Sequence, residues 1–424
     1  MRLKVHLLRL ILLITLFSLI GCARLAPTSE PVTITFVCPE SYGEYYGNLL
    51  QKFHEQYPHI TVELRPVPWQ ALDDLSAGDV DVLVVPLWYL RTLQSQGDLL
   101  NLDPFVKEDK SLETQDFHPG TLELFSVENH TWGIPAGIDL LVMFYNRDLF
   151  DRKNLPYPQP GWTQTEFLEA ASSVSDPEAG IYGYVPMAWG FPGNISYFDA
   201  ALFVYLRGGR LFDDLQEPTR TAFDDPLTVN AVKWYTDLYL KYAAAPTPEE
   251  ARRAFGGGRN TYYVAVQQGK AGLWIGSLSE RGGRGWPVEW NMNWGVTTLP
   301  GDTLFFTQAL PDGYAIYAET GEPEACWELI KFLTHQTHYL LVPPRRSVTE
   351  SALYEQQVGA EVAATARASM ENAFYLADLR RFGDFEAAMR LFGHAITEVL
   401  NGNLTVEEAM QQAQKQAEAA TPQR

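Results

Sequence analysis

The chain has 424 residues, 46% of them hydrophobic, which is material for two packed cores, since single cores stop growing beyond about 250 to 300 residues. A formal charge of −20 argues against nucleic acid as a partner and against direct adhesion to anionic lipid. Three cysteines are too few for a disulfide scaffold, and beyond Pro31 no apolar run reaches the roughly 20 residues of a membrane helix.

The first 31 residues read separately. Arg2, Lys4 and Arg9 make a basic start, Leu10 to Ile20 is almost wholly apolar, and Gly21 stands before Cys22, which is the three-part layout of a secretory signal. Without those three cations the remainder carries −23. The quartet Leu19, Ile20, Gly21, Cys22 resembles the lipobox of bacterial lipoproteins. That resemblance implies a signal peptide over 1–21, an acylated Cys22 and a slack Ala/Pro/Thr/Ser tether completing 22–31, holding an extracytoplasmic protein to the cell membrane by lipid. An ordinary secretory signal with a chance cysteine is the alternative. Cys38 and Cys326 are expected to be two separate buried thiols.

In chain order, VTITFVC from Val32 is strand-like, YGNLLQKFHEQY spaces Leu49, Leu50 and Phe53 as a helix does, and ITVELRPV is a second strand. DVDVLVVP from Asp79 suits a strand buried on both faces of a largely parallel sheet, so the fold class is α/β. A long extended run follows from Trp132. Thr163 and Glu166 form a capping box, with Trp162 and Phe167 as a hydrophobic staple, predicting a helix from Gln164. Gly208 and Gly209 close a further helical stretch, and TVNAVKWYTDLYLKY reads as an amphipathic helix. KAGLWIGS, NWGVTTLP and DGYAIYA are strand-like, EPEACWELIKFLTHQ is a helix, and a capping box at Thr405 and Glu408 opens a terminal helix.

Few chemical motifs survive scrutiny. Gly256 to Gly258 lack the Gly-Lys-Ser/Thr of a phosphate loop, and Lys270 reads as a surface residue. His335 and His338 have no third ligand nearby and read as a solvated helix end. The acid pairs Asp73–Asp74, Asp213–Asp214 and Asp224–Asp225 read as turn and cap residues, and no acid stands in an obviously apolar niche. No motif requires a cofactor or a metal.

The order of segments is similar to that of the extracellular solute-binding proteins of bacterial ABC importers, the family that includes maltose-binding protein. WGIPAGIDLLVMFYNRDLF, PGWTQTEFLEAA, GGRLFDD, VQQGKAGLWIGS, NWGVTTLPGD, GYAIYAETGEPEACWELIKFL and NGNLTVEEAMQQAQ follow one another as they do in that family, although Trp162 and Thr163 stand in transposed order. The resemblance implies two α/β lobes with a ligand cleft between them, 32–137 with 303–343 and 138–302 with 344–424. It implies three crossings, near Ile138 to Leu141, Leu299 to Thr307 and Pro343 to Arg345, and closure by hinge rotation.

Open α/β sheets bind ligands at their carboxyl edges, which singles out Ser41, Tyr42 and Glu44 after the first strand and Trp88 after the buried one. The resemblance adds Asp139 at the first crossing, Trp189 and Tyr197 in the second lobe, Ser277 after the strand at Trp274, Gly313 with Tyr314 after the second crossing, and Arg345. Arg345 has the alternative of clamping the hinge, and Trp274 that of filling the core. The family's C-terminal aromatic contact falls near Phe382, Phe385 and Met389 without a matching tryptophan. The implied function is capture of an extracellular carbohydrate by a monomer that delivers it to a membrane permease, with no catalysis of its own. A polyol phosphate or cationic solute is the alternative ligand, and a surface glycosidase or adhesin the alternative class.

Overall fold

The computed structural model describes residues 30–75, 78–186, 198–214, 218–256, 261–285, 289–302, 307–375 and 385–420. Eleven strands are formed among them: β1 (Val32–Pro39), β2 (Ile60–Val67), β3 (Val82–Pro86), β4 (Ser126–Val127), β5 (His130–Thr131), β6 (Ile134–Asn146), β7 (Tyr182–Tyr184), β8 (Ala271–Ser277), β9 (Trp294–Thr297), β10 (Thr307–Ile316) and β11 (Ala373–Tyr375). β4 and β5 pair alone, and the others form one path, β2-β1-β3-β10-β6-β8-β7, with β11 on β10 and β9 on β6.

In the first lobe β1 lies parallel to both β2 and β3, and the helix Gly43–Gln56 makes the crossover from β1 to β2. Alternation sends successive side chains to opposite faces. Phe36, Val82, Val84 and Ile316 pack on one face with Tyr46 and Phe53 of Gly43–Gln56 and Ile330 of the helix Pro323–Thr334. Val37, Leu83, Val85 and Ala315 pack on the other with Leu90 and Leu93 of the helix Leu87–Gln96. A strand covered on both sides has no polar face to keep, which is why VLVVP is apolar throughout and buried throughout. Cys38 and Cys326 are buried there as free thiols.

β6 carries the chain onward. Its first half pairs antiparallel with β10, and residues Leu141 to Asn146 pair antiparallel with β8 and β9. Beyond that handover a second core gathers Phe144, Phe167, Tyr184, Phe203, Tyr235, Trp274 and, from the C-terminal helices Phe385–Leu400 and Val406–Ala420, Phe392 and Met410. Thr163 and Glu166 complete the expected capping box, and Trp162 meets Phe167 with ring centroids 5.8 Å apart. Trp274 is wholly buried against Phe144, so the core reading holds for it. Phe385 and Met389 are also core residues, whereas Phe382 lies outside the described residues. Among the described residues no helix is long and apolar enough to cross a membrane.

Candidate functional site

β1 and β3 are parallel neighbours, so their carboxyl ends, Pro39 and Pro86, emerge at the same edge. Ser41 and Tyr42 follow at once in the turn Glu40–Tyr42, and Glu44 in the first turn of Gly43–Gln56; Ser41 and Glu44 are exposed and Tyr42 is buried. Trp88 occupies the first turn of Leu87–Gln96 and leaves 58% of its surface to solvent, with Tyr89 as its ring neighbour at 5.5 Å. Leaving that much indole in water forgoes the burial that normally justifies so large a side chain. Trp69 opens the turn at the end of β2, the third parallel strand of this edge.

β6 and β10 supply the floor. Every residue of β6 is buried except Asp139, and every residue of β10 except Leu310 and Asp312. Asp139 stands opposite Leu310, and Asp312 opposite Gly137 on one side and Pro86 on the other. The two-residue period puts Asp139, Leu310 and Asp312 on one face, the two acids as diagonal neighbours roughly 7–8 Å apart. Ser277, opposite Leu141, falls on that face as well. Two otherwise sealed strands thus open at one spot, and Asp312 there pairs with Pro86, two residues before Trp88.

The two acids differ in their partners. Asp139 accepts hydrogen bonds at Oδ1 from the amides of Leu140 and Ser279, both at 3.0 Å, and at Oδ2 from the Ser279 hydroxyl at 2.6 Å; the Ser277 hydroxyl also donates to it. Burial raises the Asp139 carboxyl above its ordinary value against the pull of those donors. Asp312 is pushed up to about 7, first by burial and then by the charge of Asp139, while the Tyr42 hydroxyl, donating to Oδ2 at 3.3 Å, opposes this. Burial, Asp312 and Asp139 in turn raise Tyr42.

The turn Leu278–Gly283 follows β8 on the side of Asp139. Arg281 is buried and donates to the carbonyls of Leu278 (2.8 Å), Leu340 (3.0 Å) and Tyr339, tying the second lobe to the segment after Pro323–Thr334. The Arg284 guanidinium lies 5.2 Å from the Tyr339 ring centre, and the Tyr339 hydroxyl donates to the Ser41 carbonyl at 3.4 Å. His338 is not a solvated helix end. It is buried between Tyr42 and Tyr45, accepts at Nδ1 from the Leu340 and Leu341 amides, and burial lowers it to about 3, so it stays neutral. His335 is exposed.

The other expected residues separate from this group. Gly313 packs so tightly that an added Cβ would lie 2.2 Å from the Phe125 ring, and Tyr314 is buried with its hydroxyl 3.2 Å from that of Tyr46. Gly313 faces the opposite side of β10 from Asp312, and Tyr314 packs on the side of Tyr42 and Tyr46 but is wholly buried. Arg345 is wholly buried; it donates to Thr334 Oγ1 (3.0 Å) and the Leu112 carbonyl (2.6 Å), pairs with Asp116 at 3.5 Å and covers the Phe117 ring. Its interactions are those of a clamp between the third crossing and the first lobe. Trp189 and Tyr197 lie outside the described residues. Asp312, Ser279, Arg281 and Tyr339 were not expected. The sequence signal for Asp312 was an acid between Pro311 and Gly313, which reads as a turn until β10 is seen to run through it. Among the described residues no group of three acidic, histidine or cysteine side chains could hold a metal ion.

Residues 39–336 match the family model described as bacterial extracellular solute-binding protein. The chain belongs to this family. A maltotriose-binding protein of Pyrococcus abyssi is 26% identical over 250 residues, covering 56% of this chain and 47% of that protein. A mannitol-binding protein of Pseudomonas aeruginosa is 22% identical over 243 residues, covering 54% and 50%. The crystal structure of a cyclic α-maltosyl-1,6-maltose binding protein from Arthrobacter globiformis superposes with a TM-score of 0.71 at 17% identity, covering 92% of this chain and 98% of that one, and shares the two-lobed fold. Family membership accounts for the two lobes, and it makes the open spot at the shared sheet edge the first place to seek a solute.

Proposed function

We propose that this family member captures an uncharged carbohydrate or polyol between its lobes and presents it to the membrane subunits of an ABC importer, without chemical turnover. The observation that carries this reading is a largely exposed Trp88 at the same sheet edge as the partly open Asp139–Asp312 floor, Asp312 pairing with Pro86 at the end of the strand that Trp88 follows. An aromatic face packs on the C–H side of a sugar ring, and acids and hydroxyls take its O–H groups, which is the usual division of labour in a ligand pocket. Ser41, Tyr42, Glu44, Asp139 and Ser277 belong to the proposed site, with Trp189 and Tyr197 proposed to join it from the second lobe; buried Gly313 and Tyr314 hold β10 in place, and Arg345 clamps the third crossing. The lobes are taken as 32–137 with 303–343 and 138–302 with 344–424. A monomer tethered through acylated Cys22 after removal of 1–21 keeps the acidic body clear of the membrane.

A thermal-shift screen of maltose, maltotriose, mannitol, ribitol and amino acids tests the solute. A ligand at 100 times its Kd stabilises the folded chain by about 2.7 kcal/mol, and the proposal expects this from a sugar or polyol alone. A response confined to amino acids contradicts it. For the anchor, Cys22→Ser should move the protein from the membrane to the soluble fraction; retention in the membrane contradicts lipid attachment.

A further inference from the structure

We propose that Asp312, and not Asp139, is the acid that selects the ligand's hydroxyl pattern, an inference that rests on the carbohydrate or polyol reading above. A carboxylate has about four lone-pair positions for hydrogen bonds. Asp139 fills that capacity from within the protein: the amides of Leu140 and Ser279 and the hydroxyls of Ser279 and Ser277 all donate to it. These bonds fasten the turn Leu278–Gly283 to β6. A ligand hydroxyl could reach Asp139 only by displacing a bond that shapes the second lobe's edge.

Asp312 has the opposite balance. Among the described residues its one hydrogen-bond partner is Tyr42 at 3.3 Å, a long bond for two oxygens, and the residue is only partly buried on a strand that otherwise closes over apart from Leu310. Among the described residues the charged and titratable groups that face it are Asp139 from β6, Tyr42 from the turn after β1 and Tyr314 further along β10. None brings a positive charge, so the capacity left on Asp312 suits donors from a polyhydroxylated ligand. Its register opposite Pro86 places it at the strand end from which Trp88 emerges. Burying a polar site that makes hydrogen bonds to one hydroxyl pattern and leaves them unmade with another is what gives strong discrimination.

The test uses the purified full chain in a non-glycosidic detergent, titrated calorimetrically with maltotriose, maltose and D-mannitol and with a monodeoxy analogue of whichever binds. Asp312→Ala should weaken binding at least tenfold while leaving the melting temperature of the empty protein unchanged or raised. The deoxy analogue that costs the wild type tenfold should cost Asp312→Ala less than twofold, because the partner of the missing hydroxyl is already gone. Asp139→Asn should lower the melting temperature of the empty protein. Asp312→Ala binding within twofold of wild type overturns the inference and leaves the receptor reading intact. Wild type that binds none of the sugars or the polyol overturns that reading and this inference with it. Asp312→Asn, closer in shape, settles the matter should the alanine variant fail to fold: retained affinity and retained discrimination would overturn the proposal.

Discussion

At Asp312 burial works against the folded state. Its carboxyl is raised to about 7 by burial and by Asp139, against an ordinary value near 4. Between those pH values the unfolded chain has shed the proton while the folded chain still holds it, so stability from this group falls as pH rises from about 4 to about 7 and stays low above. Asp312→Asn removes the cost. Its melting temperature should equal that of wild type at pH 4 and exceed it by a margin that grows to pH 7 and then levels off, read by scanning fluorimetry across that range; a margin independent of pH would place the cost elsewhere. Such a residue is hard to find in sequence because nothing local to Pro311-Asp312-Gly313 reports burial. The place of Trp88 at the carboxyl edge of the sheet was legible from the apolar run that ends at Pro86, but its exposure was not, since Leu87 and Tyr89 on either side of it are buried. Asp139 was legible as an acid at the crossing, but the four donors around it come from residues up to 140 positions away in sequence.

Elements were more readable than side-chain partners because their signals are local. The Thr163/Glu166 and Thr405/Glu408 boxes closed as written, with Thr163 Oγ1 accepting from the Glu166 amide at 3.1 Å and Thr405 Oγ1 from the Glu408 amide at 3.2 Å. A third box at Thr247 and Glu250 opens the helix Pro248–Phe255, whose eight residues are too few for apolar periodicity to announce it. YYVAVQQ is also helical, over Thr261–Gln267, a segment too short for periodicity to declare. Packing between elements leaves no local trace at all. At Gly183 in β7 an added Cβ would sit 1.7 Å from the Ala171 carbonyl oxygen of the helix Gln164–Val174. Backbone cannot yield as a side chain tip can, so Gly183→Ala should destabilise by about 3 kcal/mol or more, at or beyond the upper end for overpacking. Chemical denaturation would show it as a lower midpoint; an unchanged midpoint would mean the helix rides freely on β7.

On the scale of the molecule, β6 is one strand with two sets of partners, β10 in its first half and β8 and β9 in its second. Asp139 lies just before the handover, and Arg281 and Tyr339 join the lobes alongside it. In the proposed mechanism rotation of one lobe on the other passes through this neighbourhood and so couples solute contact to closure. The sequence conveyed two cores and their order because hydrophobic runs and Pro/Gly-marked connections recur at that scale. It could not convey which acid is left with unused hydrogen-bonding capacity, because that depends on strands far apart in the chain. The most direct measurement is calorimetric titration of the wild type and Trp88→Ala with the solute found by thermal shift. The proposed function predicts saturable one-to-one binding with the solute recovered unchanged, and in Trp88→Ala a loss of about 0.5–1.5 kcal/mol, a few-fold to tenfold in affinity, with an unchanged melting temperature for the empty protein. Equal affinity in the two proteins, or cleavage of the solute, would contradict it.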